Sequence, residues 1–492
     1  MHPTLRFLHD LSYSSRGIRQ SCLVILLIGF SLAAFMGTAL QLLLPSSEQP
    51  MDVIAAIYEH HLILTTPHHR DLIKQLPPED REMWESYLLN PLGGAQVLSK
   101  QLTSGPPPLG QNFALGLYEL REGNYEKALQ AFKTENSLYP NSLVRSTELN
   151  TALRIRDLDL ILSYRQNASY ADVATPRYYY IAGISLKNWP LIFQNFWTAQ
   201  YQNLQQNLIF TTFCSGAIWT VLLLSLTYQK LPRSYVFLVP AALALGWMST
   251  WPTIWSAIWM EEHFPIEEGT DFVSSFLYYL ASVGLREELC KLLLFTPFLF
   301  RVLKPGRDLE ALLFGALVGL GFAIEENISY FADYELSGTV ITRFVSANLL
   351  HLTLTAITSL ALTRALREPE KWLVDGLQTL LMAIGLHGIY NTLLSSPIPG
   401  VGDMSYFSGT ALVGCAVLFF REVETLSPSH PSLLSRTALF CWGFCLLFNL
   451  ELLQGILTMP FKDALSISGQ SALAAIMTGY IFIHMIKEPL SA

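Results

Sequence analysis

FVSSFLYYLASVGLREELCKLLLFTPFLF, residues 272–300, reads as a membrane-spanning helix with charge at its centre. Arg286, Glu287, Glu288 and Lys291 interrupt an apolar run long enough to cross a bilayer. Each such charge costs roughly 2.5–3.5 kcal/mol at a helix centre on insertion scales. A chain retains groups that expensive where they face protein or water and pair with one another. The next three apolar stretches supply partners: Glu325 and Glu326, then His351, then His387 with Asn391. A polar cluster shared by four consecutive membrane helices is an active-site hypothesis.

Further apolar runs flank this one. Spans are expected at 22–44, 206–228, 236–257, 271–300, 309–331, 340–363, 372–394, 405–420, 435–457 and 464–486. That makes about ten, with 405–420 the shortest and 271–300 the one most readily broken. Of the 492 residues 51% are hydrophobic and 14% charged, against about 25% charged in soluble domains. The fold class is therefore a polytopic helical membrane protein with a helical soluble insert. A net charge of −8 without a basic stripe gives no sign of nucleic-acid binding. Cys22, Cys214, Cys290, Cys415, Cys441 and Cys445 all lie in apolar segments, so no disulfide framework or zinc ribbon is expected in the insert. Such cysteines behave as small hydrophobes.

Residues 22–44 follow Arg6, Arg16 and Arg19. The run exceeds the about 7–15 residues of a cleaved signal core and is read as an uncleaved signal anchor. Basic loops then alternate with acidic ones. Lys230 and Arg233, Arg301 with Lys304 and Arg307, Arg364 with Arg367 and Lys371, Arg421 with Arg436, and Lys487 mark one side. Glu261, Glu262, Glu267, Glu268, Asp271, Asp333 and Glu335 mark the other, and only Lys462 breaks the pattern. The positive-inside rule places both termini in the cytoplasm and the insert outside. The expected order is a cytoplasmic N-terminus (1–20), a signal-anchor helix (21–44) and an extracytoplasmic helical domain (45–205). Two membrane helices with an acidic outer loop (206–270), the charge-bearing core (271–395) and further C-terminal membrane helices (396–492) follow.

The insert reads as helical. Pro77-Pro78 followed by Glu79-Asp80-Arg81-Glu82 is good helix-start chemistry, and TSGPPPLG at 103–110 is a break. The stretch 114–140 resembles one tetratricopeptide repeat in Leu115, Gly116, Ala128, Phe132 and Pro140, with Gly123 at the inter-helix turn and Glu135 as a departure. One repeat cannot bury its own face. The helical stretch 147–165 is a candidate degenerate second repeat, and the domain a candidate surface for a peptide or protein partner. His60, His61, His68 and His69 lie close together, but adjacent histidines point apart and a solvated face is the simpler reading.

In the membrane, Glu287, Glu326, His351 and His387 lie about 12–17 residues from the cytoplasmic ends of their helices, roughly 18–26 Å. They share one layer in the outer half of the bilayer. Glu287 and Lys291, Phe322 and Glu326, and His387 and Asn391 are each spaced i,i+4, so every helix presents a stripe. Glu325 is expected to face away from Glu326. Gly315 and Gly319 form a G-x-x-x-G that permits close helix approach. Peptide hydrolysis needs an activated water, an oxyanion stabiliser and a proton donor. Carboxylate, histidine and amide groups supply these directly. Alternatively two histidines and a glutamate hold zinc with one position open for water. The residue types permit both.

The ordered pattern E-E-x-x-K (Glu287, Glu288, Lys291), F-x-x-x-E (Phe322, Glu326), His351 and H-x-x-x-N (His387, Asn391) resembles the PrsW family of intramembrane proteases, related to the CAAX-protease and bacteriocin-processing superfamily. The resemblance covers about residues 270–395. One departure is Asn391, where PrsW proteins typically carry Asp. The resemblance implies that Glu287 or Glu288 activates water, with Glu326, His351, His387 and Asn391 completing the site and Lys291 and Phe322 supporting it. It implies either a divalent metal such as zinc, held by Glu326, His351 and His387, or no cofactor. It further implies a bacterial inner-membrane enzyme that cuts single-pass membrane proteins, anti-sigma-factor-like regulators among them, near the outer face. A proton-coupled transporter uses similar groups but often shows an internal repeat of spans, which is not seen here. A non-catalytic sensor or scaffold would have no need of the intact four-part motif.

Overall fold

The computed structural model describes residues 3–43, 107, 109–205, 208–227, 234–264, 268–269, 271–333, 339–395, 407–427, 432–457, 461–486 and 488. Every regular element among them is helical. The chain divides into two compact units, residues 1–40 with 203–492, and residues 41–202. The expected helix start at 79–82 and the four clustered histidines lie outside the described residues.

The chain opens with α1 (Pro3–Ser12) and the long apolar α2 (Ser15–Leu43). The second unit contains α3 (Gln111–Arg121), α4 (Tyr125–Leu138), α5 (Ser142–Ile155), α6 (Leu158–Ser163), α7 (Pro176–Leu186) and α8 (Trp189–Asn203). Helices α3 and α4 form a hairpin that turns at Gly123, whose φ of 78° suits glycine. Gly116 lies against the ring of Phe132, and Ala128 and Phe132 are fully buried. The departure at Glu135 has a physical role. Its buried carboxylate accepts the backbone N–H groups of Gly110 at 2.6 Å and Asn112 at 3.1 Å, closing the start of α3. Burial holds this carboxyl above the ordinary range, and those N–H groups pull it back down. The expected helix at 147–165 is split. Arg156 adopts a left-handed φ of 63°, and the Asp157 side chain caps α6 through the Leu160 N–H. Across the split, buried Glu148 of α5 accepts the hydroxyls of Tyr164 at 2.8 Å and Tyr170 at 2.7 Å.

The first unit continues through α9 (Ile209–Thr227), α10 (Tyr235–Met248) and α11 (Thr250–His263). Residues 271–300 are broken as the composition suggests. They form α12 (Phe272–Tyr278), a π-helical segment (Tyr279–Gly284), α13 (Leu285–Phe295), a 3-10 turn (Thr296–Phe298) and α14 (Leu299–Val302). Then come α15 (Asp308–Asp333), the short α16 (Thr339–Val345), α17 (Ala347–Arg367), α18 (Pro369–Ser395), α19 (Ser408–Leu426), α20 (Arg436–Gly455) and α21 (Phe461–Ile486).

Eight described helical runs are long and apolar enough to cross a membrane, against an expectation of about ten. The two that fall short have visible reasons. Residues 271–300 are interrupted, and α19 carries Arg421, Glu422 and Glu424 in its last turns. Multiple apolar helices of this kind make the chain an integral multi-pass membrane protein.

Helix α15 is the axis of this unit, with 94% of its apolar window buried. Between Ala311 and Ile324 it is apolar on every side, as a helix surrounded by other helices must be. Gly319 explains how closely α17 approaches it, because a Cβ there would lie 2.2 Å from the His351 carbonyl oxygen. The sequence reading of Gly315 and Gly319 as packing positions holds. Trp219, Phe344, Phe440 and Phe482 form an aromatic core, and the Trp219 indole donates to the Phe344 carbonyl at 2.8 Å. At one end, Asp308 accepts from Arg364 at 2.9 Å and from Arg367, and Glu310 accepts from Arg301 and Arg307. Arginines assigned to the cytoplasmic loops thus pair with acids at the start of α15.

Candidate active site

The site is assembled from α13, α15, α17 and α18. A π-helical segment ends one residue before α13 begins, and such segments recur at functional sites because they re-aim the residues that follow. Here they are Glu287 and Glu288. Gly388 of α18 lies against Leu280 of that segment, with a Cβ position 3.0 Å from its Cα, which brings His387 close to α13.

Lys291 is completely buried and sits at the centre. Its ammonium donates to Glu288 Oε1 at 2.9 Å, Glu287 Oε2 at 3.3 Å and His351 Nδ1 at 2.8 Å. It also lies 4.0 Å from the centre of the Phe322 ring, a cation–π contact. These contacts assign the imidazoles. Because Nδ1 of His351 accepts, its Nε2 carries the proton and donates to Glu326 Oε2 at 3.1 Å. Nδ1 of His387 donates to Glu288 Oε1 at 2.9 Å, which leaves its Nε2 with a lone pair.

Both lone-pair nitrogens point toward one carboxylate. Glu287 Oε2 lies 3.5 Å from His387 Nε2 and 4.0 Å from His351 Nδ1. Two ring lone pairs and a carboxylate oxygen facing one another call for a cation, and in this structure the Lys291 ammonium lies beside two of the three. Glu287, His351 and His387 offer three ligand atoms within 4.8 Å of one another, all on buried residues. One glutamate and two histidines is a donor set of catalytic zinc sites. Each histidine is also oriented by a carboxylate on its other nitrogen, the arrangement that fixes tautomer and basicity at metal centres. The donor set therefore fits a divalent metal. Lys291 Nζ lies among the same atoms, so a metal and the ammonium compete for the His351 lone pair.

The structure brings together Glu287, Glu288, Lys291, Phe322, Glu326, His351 and His387. It differs from the sequence reading in the carboxylate. The ligand group contains Glu287, whereas Glu326 engages the opposite nitrogen of His351. Helical spacing identifies the inward stripe but not which oxygen meets which nitrogen. Asn391 is half-buried one turn beyond His387, and its side chain takes no part in the cluster's described hydrogen bonds. Glu325 turns away as expected and accepts from Ser329 at 3.4 Å.

Sequence reasoning missed Arg343. Its guanidinium donates to Glu326 Oε2 at 2.6 Å and to Asn327 Oδ1, and stacks 4.0 Å from the Tyr330 ring centre. Asn327 donates to Asn348 at 2.9 Å, and Asn348 donates to Ser215 at 2.8 Å. The available signal was an arginine inside the apolar run TVITRFV.

The fold and site define a class: a polytopic helical membrane protein with a buried polar centre suited to hydrolysis. Residues 206–420 match the family model described as PrsW family intramembrane metalloprotease. That region contains the whole polar cluster, and the match identifies the chain as an intramembrane endopeptidase. No curated protein and no solved structure matches the chain.

Proposed function

We propose that this endopeptidase is metal-dependent and cuts single-pass membrane proteins near the outer face of a bacterial inner membrane, with anti-sigma-factor-like regulators as one substrate class. The observation that carries the reading is the convergence of Glu287 Oε2, His351 Nδ1 and His387 Nε2. These three residues would hold a divalent metal such as zinc. A metal there supplies Lewis-acid polarisation of the scissile carbonyl and lowers the pKa of a water molecule.

The protein's own groups divide the remaining work. Glu288 orients His387 through Oε1, while its Oε2 is buried with no hydrogen-bond partner among the described residues. In this reading that oxygen accepts a proton from the attacking water and returns it to the leaving amine. Glu326 fixes the tautomer of His351. Lys291 balances the carboxylates at the centre. Asn391 lies at the edge of the site, one turn beyond His387, outside the described hydrogen bonds of the cluster. The outer domain, a tetratricopeptide-like surface in this reading, selects substrates rather than performing chemistry.

The test is cleavage of a single-pass reporter by the full-length protein. Glu288→Gln should lower kcat by about 10²–10⁴-fold while zinc stays bound. Glu287→Gln should abolish both cleavage and zinc binding. Cleavage at wild-type rate by the Glu287→Gln/Glu288→Gln double variant would leave a buried ion-pair role as the better account.

A further inference from the structure

We propose that Glu451, which lies outside the matched family region, is a positioning residue for the peptidase reaction and acts through Arg343; this rests on the metal-dependent reading above. Glu451 is on α20, within an apolar span, and is only 3% exposed. A carboxylate in that position is expensive and calls for a purpose. Its Oε2 accepts the backbone N–H of Ile341 at 3.1 Å.

That bond holds α16. Residues Thr339–Val345 form seven residues of helix, too short to be stable alone. The first N–H groups of any helix lack acceptors within it, and Glu451 supplies one here. Val345 ends α16, Ser346 breaks the path with φ −115° and ψ −79°, and α17 restarts at Ala347. The orientation of α16 is therefore set separately from that of α17, which carries His351. Trp219 secures the end of α16 and Glu451 its start.

Between these two anchors stands Arg343. It donates to the same Glu326 oxygen that accepts from His351 Nε2, at 2.6 Å and 3.1 Å respectively. The far nitrogen of His351 faces Glu287. A continuous path thus runs from Glu451 through α16, Arg343 and Glu326 to a proposed metal ligand. This path gives the C-terminal helices a part in the reaction: α20 fixes the strength and direction of a ligand it never touches.

The experiment uses full-length protein in nanodiscs with Arg343→Gln, Arg343→Lys, Glu451→Leu, Glu451→Gln and the Arg343→Gln/Glu451→Leu double variant. Two quantities are read: kcat and KM on a single-pass reporter, and zinc affinity by competition with a chromogenic chelator without turnover. Arg343→Gln and Glu451→Leu should each lower kcat and zinc affinity by about 10–100-fold with KM unchanged. Arg343→Lys should recover only part, since an ammonium cannot fork between Glu326 and Asn327. Glu451→Gln keeps an acceptor oxygen and should be milder than Glu451→Leu. The double variant should be no worse than Arg343→Gln alone, because the two residues act in series. Losses that multiply, or a Glu451→Leu protein that melts lower with wild-type kcat and zinc affinity, would overturn the proposal. If Glu451→Leu does not fold, Glu451→Gln with Arg343→Gln carries the same non-additivity test. A wild type that binds zinc but cleaves nothing would defeat the proposed function, and the zinc arm would still decide the positioning role.

Discussion

Gly319→Ala places a single methyl group between the two helices that carry Glu326 and His351. The new Cβ would lie 2.2 Å from the His351 carbonyl oxygen and 2.9 Å from the Leu352 Cα, whereas ordinary contact begins near 3.4 Å. The obstacles are backbone atoms, so no rotamer change relieves them. Helices α15 and α17 must separate by roughly 1 Å, an overpacking that costs about 1–3 kcal/mol. The same displacement stretches the 3.1 Å bond from His351 to Glu326 beyond hydrogen-bonding distance. A misplacement of that size at a catalytic centre costs about 10²-fold in rate. The assay pairs reporter cleavage with thermal unfolding of the same preparation. Gly385→Ala is the control, because nothing lies within 4 Å of a Cβ there and the substitution favours helix. A Gly319→Ala protein as active as Gly385→Ala would refute the view that close α15–α17 packing sets the site geometry.

Other expectations concern the rest of the chain. Burial holds the Glu148 carboxyl above the ordinary range, although the Tyr170 and Tyr164 hydroxyls pull it down. A raised carboxyl binds its proton more tightly when folded, so its stabilisation is full at acid pH and is lost as pH rises through the folded value. Glu148→Gln should therefore flatten the fall in melting temperature of the unit of residues 41–202 between about pH 4 and pH 8; a steeper fall than wild type would contradict this. Asn391→Asp and Glu325→Gln should both retain near wild-type cleavage, since neither side chain joins the hydrogen bonds of the cluster; a loss beyond about tenfold in either would assign it a catalytic part. A reporter enzyme fused near residue 120 should be active only in an outward-sensing form, and a cytoplasmic readout would reverse the topology proposed from loop charge.

Much of the site was legible because charge in an apolar run is rare and costly. Glu287, Glu288, Lys291, Glu326, His351 and His387 stand out for that reason, and the structure brings them together. Arg343 obeys the same logic but sits within the apparent span 340–363, whose break at Ser346 no residue announces. Asn327, Asn348 and Ser215 carry no charge, so a search for charge in apolar runs passes over them. The choice of Glu287 over Glu326 as the carboxylate facing both histidines depends on ring orientation, which spacing along a helix does not encode. In the unit of residues 41–202, Glu135 departs from a repeat pattern. Its partners are backbone N–H groups at the start of α3, and backbone partners leave no trace in residue types. The break of residues 271–300 was foreseeable from its charges and glycine, but its π-helical form was not.

The central claim is that Glu287, His351 and His387 form a metal centre on which cleavage depends. Its most direct measurement is the metal content of purified full-length protein, read by mass spectrometry beside reporter cleavage before and after chelation. The account predicts about one divalent metal per chain in the wild type and none in Glu287→Gln, as expected where only three protein ligands hold the metal. It also predicts cleavage that chelation abolishes and zinc restores. Metal-free wild-type protein that cleaves at full rate in the presence of chelator would contradict it.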